Sequence, residues 1–256
     1  MMKPMIGDLE KSMPLEEIIN RQGIIISAPA SGAGKTTVTL GLINAFARKR
    51  SVQPFKSGPD YIDSKFQSVA ADRPSYNLDT WAMSSSDILN MIGMVGPSDI
   101  CIAEGSMGLF DGVISKGAGG NGSTADLASI TNWPVILVVD CAKQAQSVAA
   151  LIAGFNSFRH DITIGGIILN NISSKRHEAL VVSEVSKTKV PILGVIPRSN
   201  ELTIPERHLG LVQAEDLSDL EQLIFKLGTL IEENCDLEAI ACTAVSYTHL
   251  RAHETS

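Results

Sequence analysis

Apolar residues along this chain fall into short runs with almost no polar alternation. Residues 23–28 (GIIISA), 100–103 (ICIA), 135–139 (VILVV), 164–169 (IGGIIL) and 192–196 (ILGVI) are rich in β-branched side chains and bounded by polar or glycine-containing stretches. Runs of this kind predict strands buried on both faces, the pattern of a parallel sheet covered by helices. Between them, residues 35–49, 143–157, 174–188 and 216–233 predict helices. Strand and helix in alternation give an α/β fold, a doubly wound and mostly parallel sheet. Ligands of such folds bind beyond the carboxyl ends of the strands, which makes the residues just after each strand the ones to search. Residues 104–126 carry seven glycines and no periodicity, so they read as a loop longer than an ordinary connection, and such loops are functional or disordered.

With 256 residues, the chain is long enough for one large α/β domain or two small ones. Its hydrophobic share of 44% and charged share of 19% describe a globular protein. No apolar run approaches the roughly 18 residues of a membrane span, and the acidic N-terminal stretch lacks the apolar segment of an export signal, so a cytoplasmic location is expected. The net charge of −7 argues against nucleic acid or an anionic membrane as the main partner. The four cysteines, Cys101, Cys141, Cys235 and Cys242, show no CxxC pair and no metal-ligand spacing. Cys101 and Cys141 read as small buried hydrophobes.

The strand at residues 23–28 runs into PASGAGKTT and then a predicted amphipathic helix. A phosphate loop needs glycines so that consecutive backbone N–H groups converge on an anion, a lysine for the β and γ phosphates, and a hydroxyl for magnesium. Gly32, Gly34, Lys35 and Thr36 supply these, within a loop that includes Ser31, Ala33 and Thr37. The dipole of the helix that starts at Lys35 favours the same anion. Pro29 stands where the full pattern has glycine. ATP or GTP binding is the firmest biochemical expectation.

Phosphoryl transfer also calls for carboxylates that hold magnesium and place the acceptor. Three segments offer them. In FKSGPDYID, Asp60 and Asp63 are three residues apart, on one side of a turn or a first helical turn; Asp60 is a candidate metal ligand and Lys56 a candidate anion contact. The same Gly58-Pro59-Asp60 is also a sequence that opens a helix. Glu104 ends the apolar run at residues 100–103, pointing it into the nucleotide crevice as a magnesium candidate, and Asp111 in the glycine-rich loop is a candidate for the acceptor side. Asp140 ends another run and is read more readily as a cap on the following helix than as a metal or water contact. Asn170 and Asn171 are candidate nucleobase contacts. His208 is read as a surface or capping histidine, and Trp81 and Met83 as core.

Taken together, APASGAGKTTVTLGL, FKSGPDYID, NLDTW, EGSMGLFDG, GSTADLA, VILVVD, GGIILN, LGVIPR and PERHLGLV, in that order, resemble the N-terminal domain of cobyrinate (hydrogenobyrinate) a,c-diamide synthases, a branch of the dethiobiotin-synthetase-like P-loop superfamily. The resemblance runs from about Gly23 to about Gln213. It implies ATP and Mg2+ as cofactors, a corrin-ring precursor as substrate, and activation of the a and c acetate carboxylates as acyl phosphates, which ammonia from a glutamine amidotransferase domain then displaces. By the same resemblance Lys35 and Thr36 bind phosphate and magnesium. Asp60 and Glu104 match metal-binding or phosphate-proximal acids, Tyr61, Asp63 and Asp111 the acceptor side, and Asn170 the base contact. The chain departs from the family after Tyr61-Ile62-Asp63: Ser64 replaces a proline and Gln67 a histidine.

The expected organisation is an N-terminal extension at 1–22, a synthetase domain at 23–234, and a truncated linker with a non-native tail at 235–256, the glutaminase lying elsewhere. Cys235 and Cys242 lack the glycine-flanked setting of its nucleophile. The stretch AVSYTHLRAHETS is expected not to continue the helix before it. A homodimer is compatible with this reading. Alternatives within the superfamily are a nickel-sirohydrochlorin diamide synthase or a dethiobiotin-synthetase-like ligase. From another class, a partitioning ATPase or nucleotide switch would carry an early second lysine in the loop, and residues 28–31 have none.

Overall fold

The structure, a computed structural model, describes residues 21–199 and 216–250. Its strands are β1 (Gly23–Ser27), β2 (Val52–Ser57), β3 (Tyr76–Leu78), β4 (Ile100–Glu104), β5 (Val135–Asp140), β6 (Ile164–Ile172) and β7 (Ile192–Pro197). They form one sheet in the order β3-β2-β4-β1-β5-β6-β7, every pair parallel. The helices are α1 (Lys35–Ala47), α2 (Tyr61–Ala71), α3 (Ser85–Met94), α4 (Thr124–Thr131), α5 (Val148–Phe158), α6 (Lys175–Val185), α7 (Asp216–Asn234) and α8 (Leu237–Leu250). The expected doubly wound sheet is therefore the observed one.

The lack of alternation has its cause in two cores. Successive residues of a strand point to opposite faces, and here both faces are covered. Ile25, Ala103, Leu137 and Leu169 join Ile88 of α3, Leu127 of α4, Ile152 of α5 and Val181 of α6. Ile24, Ile26, Ile102, Val138 and Ile168 join Leu40 of α1, Phe66 of α2, Leu227 of α7 and Ile240 of α8 on the other side. Cys101 and Cys141 lie buried in the first core, as expected. Burial also pushes the Cys141 thiol up to about 12.

Several expectations need correction. The helix expected from residue 143 begins at Val148; Asp140 accepts from the Ala142 N–H at 3.0 Å and holds a turn instead. Asp140 is thus not the cap of α5, whose N-cap position is Ser147. Trp81 is 49% exposed rather than core, because it sits in a turn whose carbonyl receives the Ala118 N–H of the glycine-rich loop at 2.8 Å. Met83 does pack against the first core. The helix at the C-terminal side runs through Leu250, so residues 244–250 continue it: they contain neither the proline nor the glycine that would stop a helix. Residues 251–256 and His208 lie outside the described residues. Among the described residues no helix is long and apolar enough to cross a membrane.

Candidate functional site

The parallel sheet brings the ends of β1, β2, β4 and β6 to one edge, and the candidate residues gather there. Between β1 and α1 the chain turns back through Gly32 and Gly34, at φ 79° and 85°, a left-handed backbone that favours glycine. The loop needs no such angle at position 29, so Pro29 is accommodated. Gly34 is also the N-cap of α1, and a Cβ there would lie 2.2 Å from Asn170 Nδ2. That amide donates to the Ala33 carbonyl at 3.0 Å, which ties the loop to the end of β6. Gly32, Gly34, Thr37, Asn170 and Pro197 line a cleft of about 180 Å³ that extends from the loop toward β7 and α7. Ser31 is exposed at the tip of the turn.

Register sets the charges. Strand β4 lies between β1 and β2, with Glu104 opposite Ile26 on one side and Lys56 on the other. Glu104 is fully buried and Lys56 is 3% exposed. Thr36, one residue into α1, donates its hydroxyl to Glu104 Oε1 at 2.7 Å. The remaining Glu104 oxygen accepts from Gln67 Nε2 at 2.8 Å. Lys35 Nζ donates to the Met107 carbonyl at 3.2 Å. Burial pulls its ammonium below the usual lysine range, and Glu104 opposes that pull.

Asp60 and Asp63 stand at the start of α2. Asp60 is its N-cap: Oδ1 accepts from the N–H groups of Ile62 and Asp63 at 3.0 and 3.1 Å, so the turn that opens a helix and the candidate acid are the same residue, and its carboxyl also lies against that of Asp63. Asp63 Oδ2 lies 3.7 Å from Lys56 Nζ. Even so, its carboxyl is pushed up to about 7, first by desolvation and then by the nearby Glu104 charge. Lys56 also donates to the Gly105 carbonyl and Ser106 Oγ, each at 3.3 Å. Two lysines and three acids therefore lie within electrostatic reach of one another in a chain of net negative charge.

The glycine-rich loop closes the site from the β4 side. Its backbone is stitched to β1 through Gly105 N–H to Ile26 O and Leu109 N–H to Ala28 O, both 2.8 Å. Asp111 is exposed and accepts from the Gly108 N–H at 2.8 Å. Tyr61 is 80% exposed at the first residue of α2. Asn171, at φ 61°, turns its amide onto Asp140 Oδ1 at 2.8 Å and so braces the turn after β5. The structure thus gathers Lys35, Thr36, Asp60, Asp63, Glu104 and Lys56 tightly, while Tyr61 and Asp111 stand on its solvent side. Gln67 was seen in the sequence only as a departure from a family pattern. Its spacing of four from Asp63 and seven from Asp60 places it on their face of α2, and this signal was available.

Among the described residues no cluster of three or more His, Cys, Asp or Glu is placed to hold a metal unaided. The adjacent Thr36 hydroxyl and Glu104 carboxylate are hard oxygen donors, the kind magnesium takes when nucleotide phosphates and water complete its shell. By its chemistry this donor set fits a magnesium nucleotide.

Comparison with known proteins shows a nucleotide-binding family. Residues 24–212 match the family described as "CobQ/CobB/MinD/ParA nucleotide binding domain". Curated relatives include hydrogenobyrinate a,c-diamide synthases from Rhodobacter capsulatus, 45% identical over 87% of this chain and 52% of that protein, and from Brucella anthropi, 47% identical over 86% and 50%. The chain spans about half the length of these relatives. Among solved structures, chloroplast FtsY from Physcomitrella patens matches with a TM-score of 0.50 at 18% identity, covering 80% of this chain and 65% of that one. The signal recognition particle receptor FtsY from Elizabethkingia anophelis matches with a TM-score of 0.50 at 12% identity, over 82% and 70%. These structural likenesses concern the fold alone.

Proposed function

We propose that this chain, which belongs to the CobQ/CobB/MinD/ParA nucleotide binding domain family, is the ATP-dependent amidoligase part of a hydrogenobyrinate or cobyrinate a,c-diamide synthase. One observation carries the reading: the hydroxyl of Thr36 and the buried carboxylate of Glu104 meet at 2.7 Å at the foot of a phosphate loop, beside the cluster of Lys35, Lys56, Asp60 and Asp63. The names of the curated relatives supply the substrate class.

A carboxylate is a poor electrophile, and phosphorylation supplies its leaving group. In the proposed sequence an acetate oxygen of the corrin precursor attacks the γ-phosphorus of ATP, the bond to the bridging oxygen breaks, and ADP departs. Ammonia then attacks the acyl carbon, the bond to the phosphate oxygen breaks, phosphate leaves, and the nitrogen gives up a proton to form the amide. The loop amides of Ser31–Thr36 cradle the phosphates. Lys35 exchanges its bond to the Met107 carbonyl for the β and γ phosphates. Thr36 and Glu104, with Asp60, would hold Mg2+, which neutralises charge on the transferring group. Lys56 faces the incoming anionic carboxylate, and Asp63, Tyr61 and Asp111 border the acceptor. Asn170 contacts the nucleobase side of the cleft.

Because Cys235 and Cys242 lack a nucleophile's surroundings, we place glutamine hydrolysis outside these 256 residues. The test is ATP-dependent conversion of hydrogenobyrinate and cobyrinate with ammonium or glutamine as nitrogen donor. Turnover with ammonium and none with glutamine is expected. Glutamine use by this chain alone would refute the placement of the glutaminase, and no amidation with either donor would refute the ligase reading.

A further inference from the structure

Glu104 is the strand-end acid on which the cation site depends, and it is fully buried. Its Oε1 is engaged by Thr36, a group that sits in the nucleotide site itself. What fixes the other oxygen is Gln67, also fully buried, whose Nε2 donates to Oε2 at 2.8 Å. The amide cannot turn over freely, because its Oε1 accepts from Ser75 Oγ at 2.8 Å, and Ser75 is itself held through its N–H to Ser68 Oγ at 2.9 Å. A flip would set the amide oxygen against a carboxylate and Nε2 against the serine hydroxyl, leaving a buried acceptor without a donor.

We propose that Gln67 is a positioning residue for Glu104: the chain Ser75–Gln67–Glu104–Thr36 presents the carboxylate to the cation of a bound magnesium nucleotide. The inference rests on the cation site of the preceding reading and goes beyond it by assigning the residue that aims the acid. Outer groups that orient a metal-binding carboxylate affect metal binding without touching the metal. A glutamine also differs in kind from a charged neighbour: it supplies a strong N–H donor to the buried carboxylate and adds no net charge to a pocket that already holds Lys35, Lys56, Asp60 and Asp63.

The test is calorimetric titration of the 256-residue chain with a non-hydrolysable ATP analogue, in Mg2+ and in EDTA, for the parent and for Gln67→Leu, Gln67→His and Ser75→Ala, with thermal melting as the check on folding. The parent is expected to gain affinity with Mg2+. Gln67→Leu should lose about tenfold or more of that gain while its affinity in EDTA stays that of the parent. Gln67→His, which keeps a ring N–H donor, should restore most of it, and Ser75→Ala, which frees the amide to flip, should lose a smaller part. A Mg2+-dependent gain in Gln67→Leu equal to the parent's, or an equal loss with and without Mg2+, would overturn the proposal. Should Gln67→Leu not fold, Ser75→Ala decides: an unchanged gain there overturns it equally. No nucleotide binding by the parent would instead sink the reading beneath it.

Discussion

Asp63 lies between a lysine that favours its charge and a buried environment, with Glu104 close by, that opposes it, and the opposition wins. Its carboxyl, near 3.8 in an ordinary setting, is pushed up to about 7 in the folded protein. The folded state therefore binds this proton more tightly than the unfolded chain, so the group's contribution to stability is fully present at low pH and is lost as pH rises from about 4 through 7. For the nucleotide-free protein, the difference in unfolding free energy between the parent and Asp63→Asn should move against the parent between pH 4 and pH 8, by on the order of 1 kcal/mol once solvent screening is allowed for. Urea denaturation at both pH values measures it, and a difference independent of pH would contradict the burial argument. At this scale the phosphate loop and Glu104 were legible in the sequence, because glycine, lysine, hydroxyl and strand-end acid each have a chemical reason to stand where they do. For Gln67 the spacing gave only its place on the face of α2 shared with Asp60 and Asp63; its role was not legible, because an amide announces no chemistry until its two partners, Glu104 and Ser75, are known. Trp81 was misread because aromatic character says nothing of whether the turn that carries it is covered.

The five strands seen as apolar runs are those buried on both faces along most of their length. Strand β2 (VQPFKS) escaped the hydrophobic reading although every residue in it is buried, since Gln53, Lys56 and Ser57 are polar. Pro54 also argues against an interior strand. It is tolerated because β3 pairs with β2 only at Phe55–Ser57, beyond the proline. Strand β3 has three residues at an edge, too few for a pattern, and α4 begins inside the glycine-rich stretch. One helix contact makes a quantitative demand. Gly41 of α1 faces α7 so closely that a Cβ would lie 2.6 Å from Ile231 Cγ1 and 2.7 Å from the Leu227 carbonyl oxygen. Alanine would raise helix propensity by up to about 1 kcal/mol. The clash is partly with backbone, and overpacking costs about 1–3 kcal/mol. Gly41→Ala should therefore lower the unfolding free energy by a net of about 1 kcal/mol, read as a lower urea midpoint with an unchanged slope; an equal or higher midpoint would show that α7 can move aside.

For the whole molecule, the strand order matters more than any single element. Placing β4 between β1 and β2 sets the acid of one strand beside the hydroxyl that follows β1 and the lysine of β2, and no stretch of sequence contains that neighbourhood. An acidic protein thereby gathers two lysines among three carboxylates at one end of the sheet, the balance that the proposed magnesium nucleotide and anionic acceptor would require together. The most direct test is calorimetric titration of the parent and of Lys35→Ala with Mg2+ and ATP, alongside thermal melting of both. Lys35 Nζ donates to the Met107 carbonyl and is held at a cost of desolvation, so its loss should leave the melting temperature nearly unchanged while weakening ATP binding at least about tenfold. A folded Lys35→Ala protein that binds ATP as tightly as the parent would contradict the account.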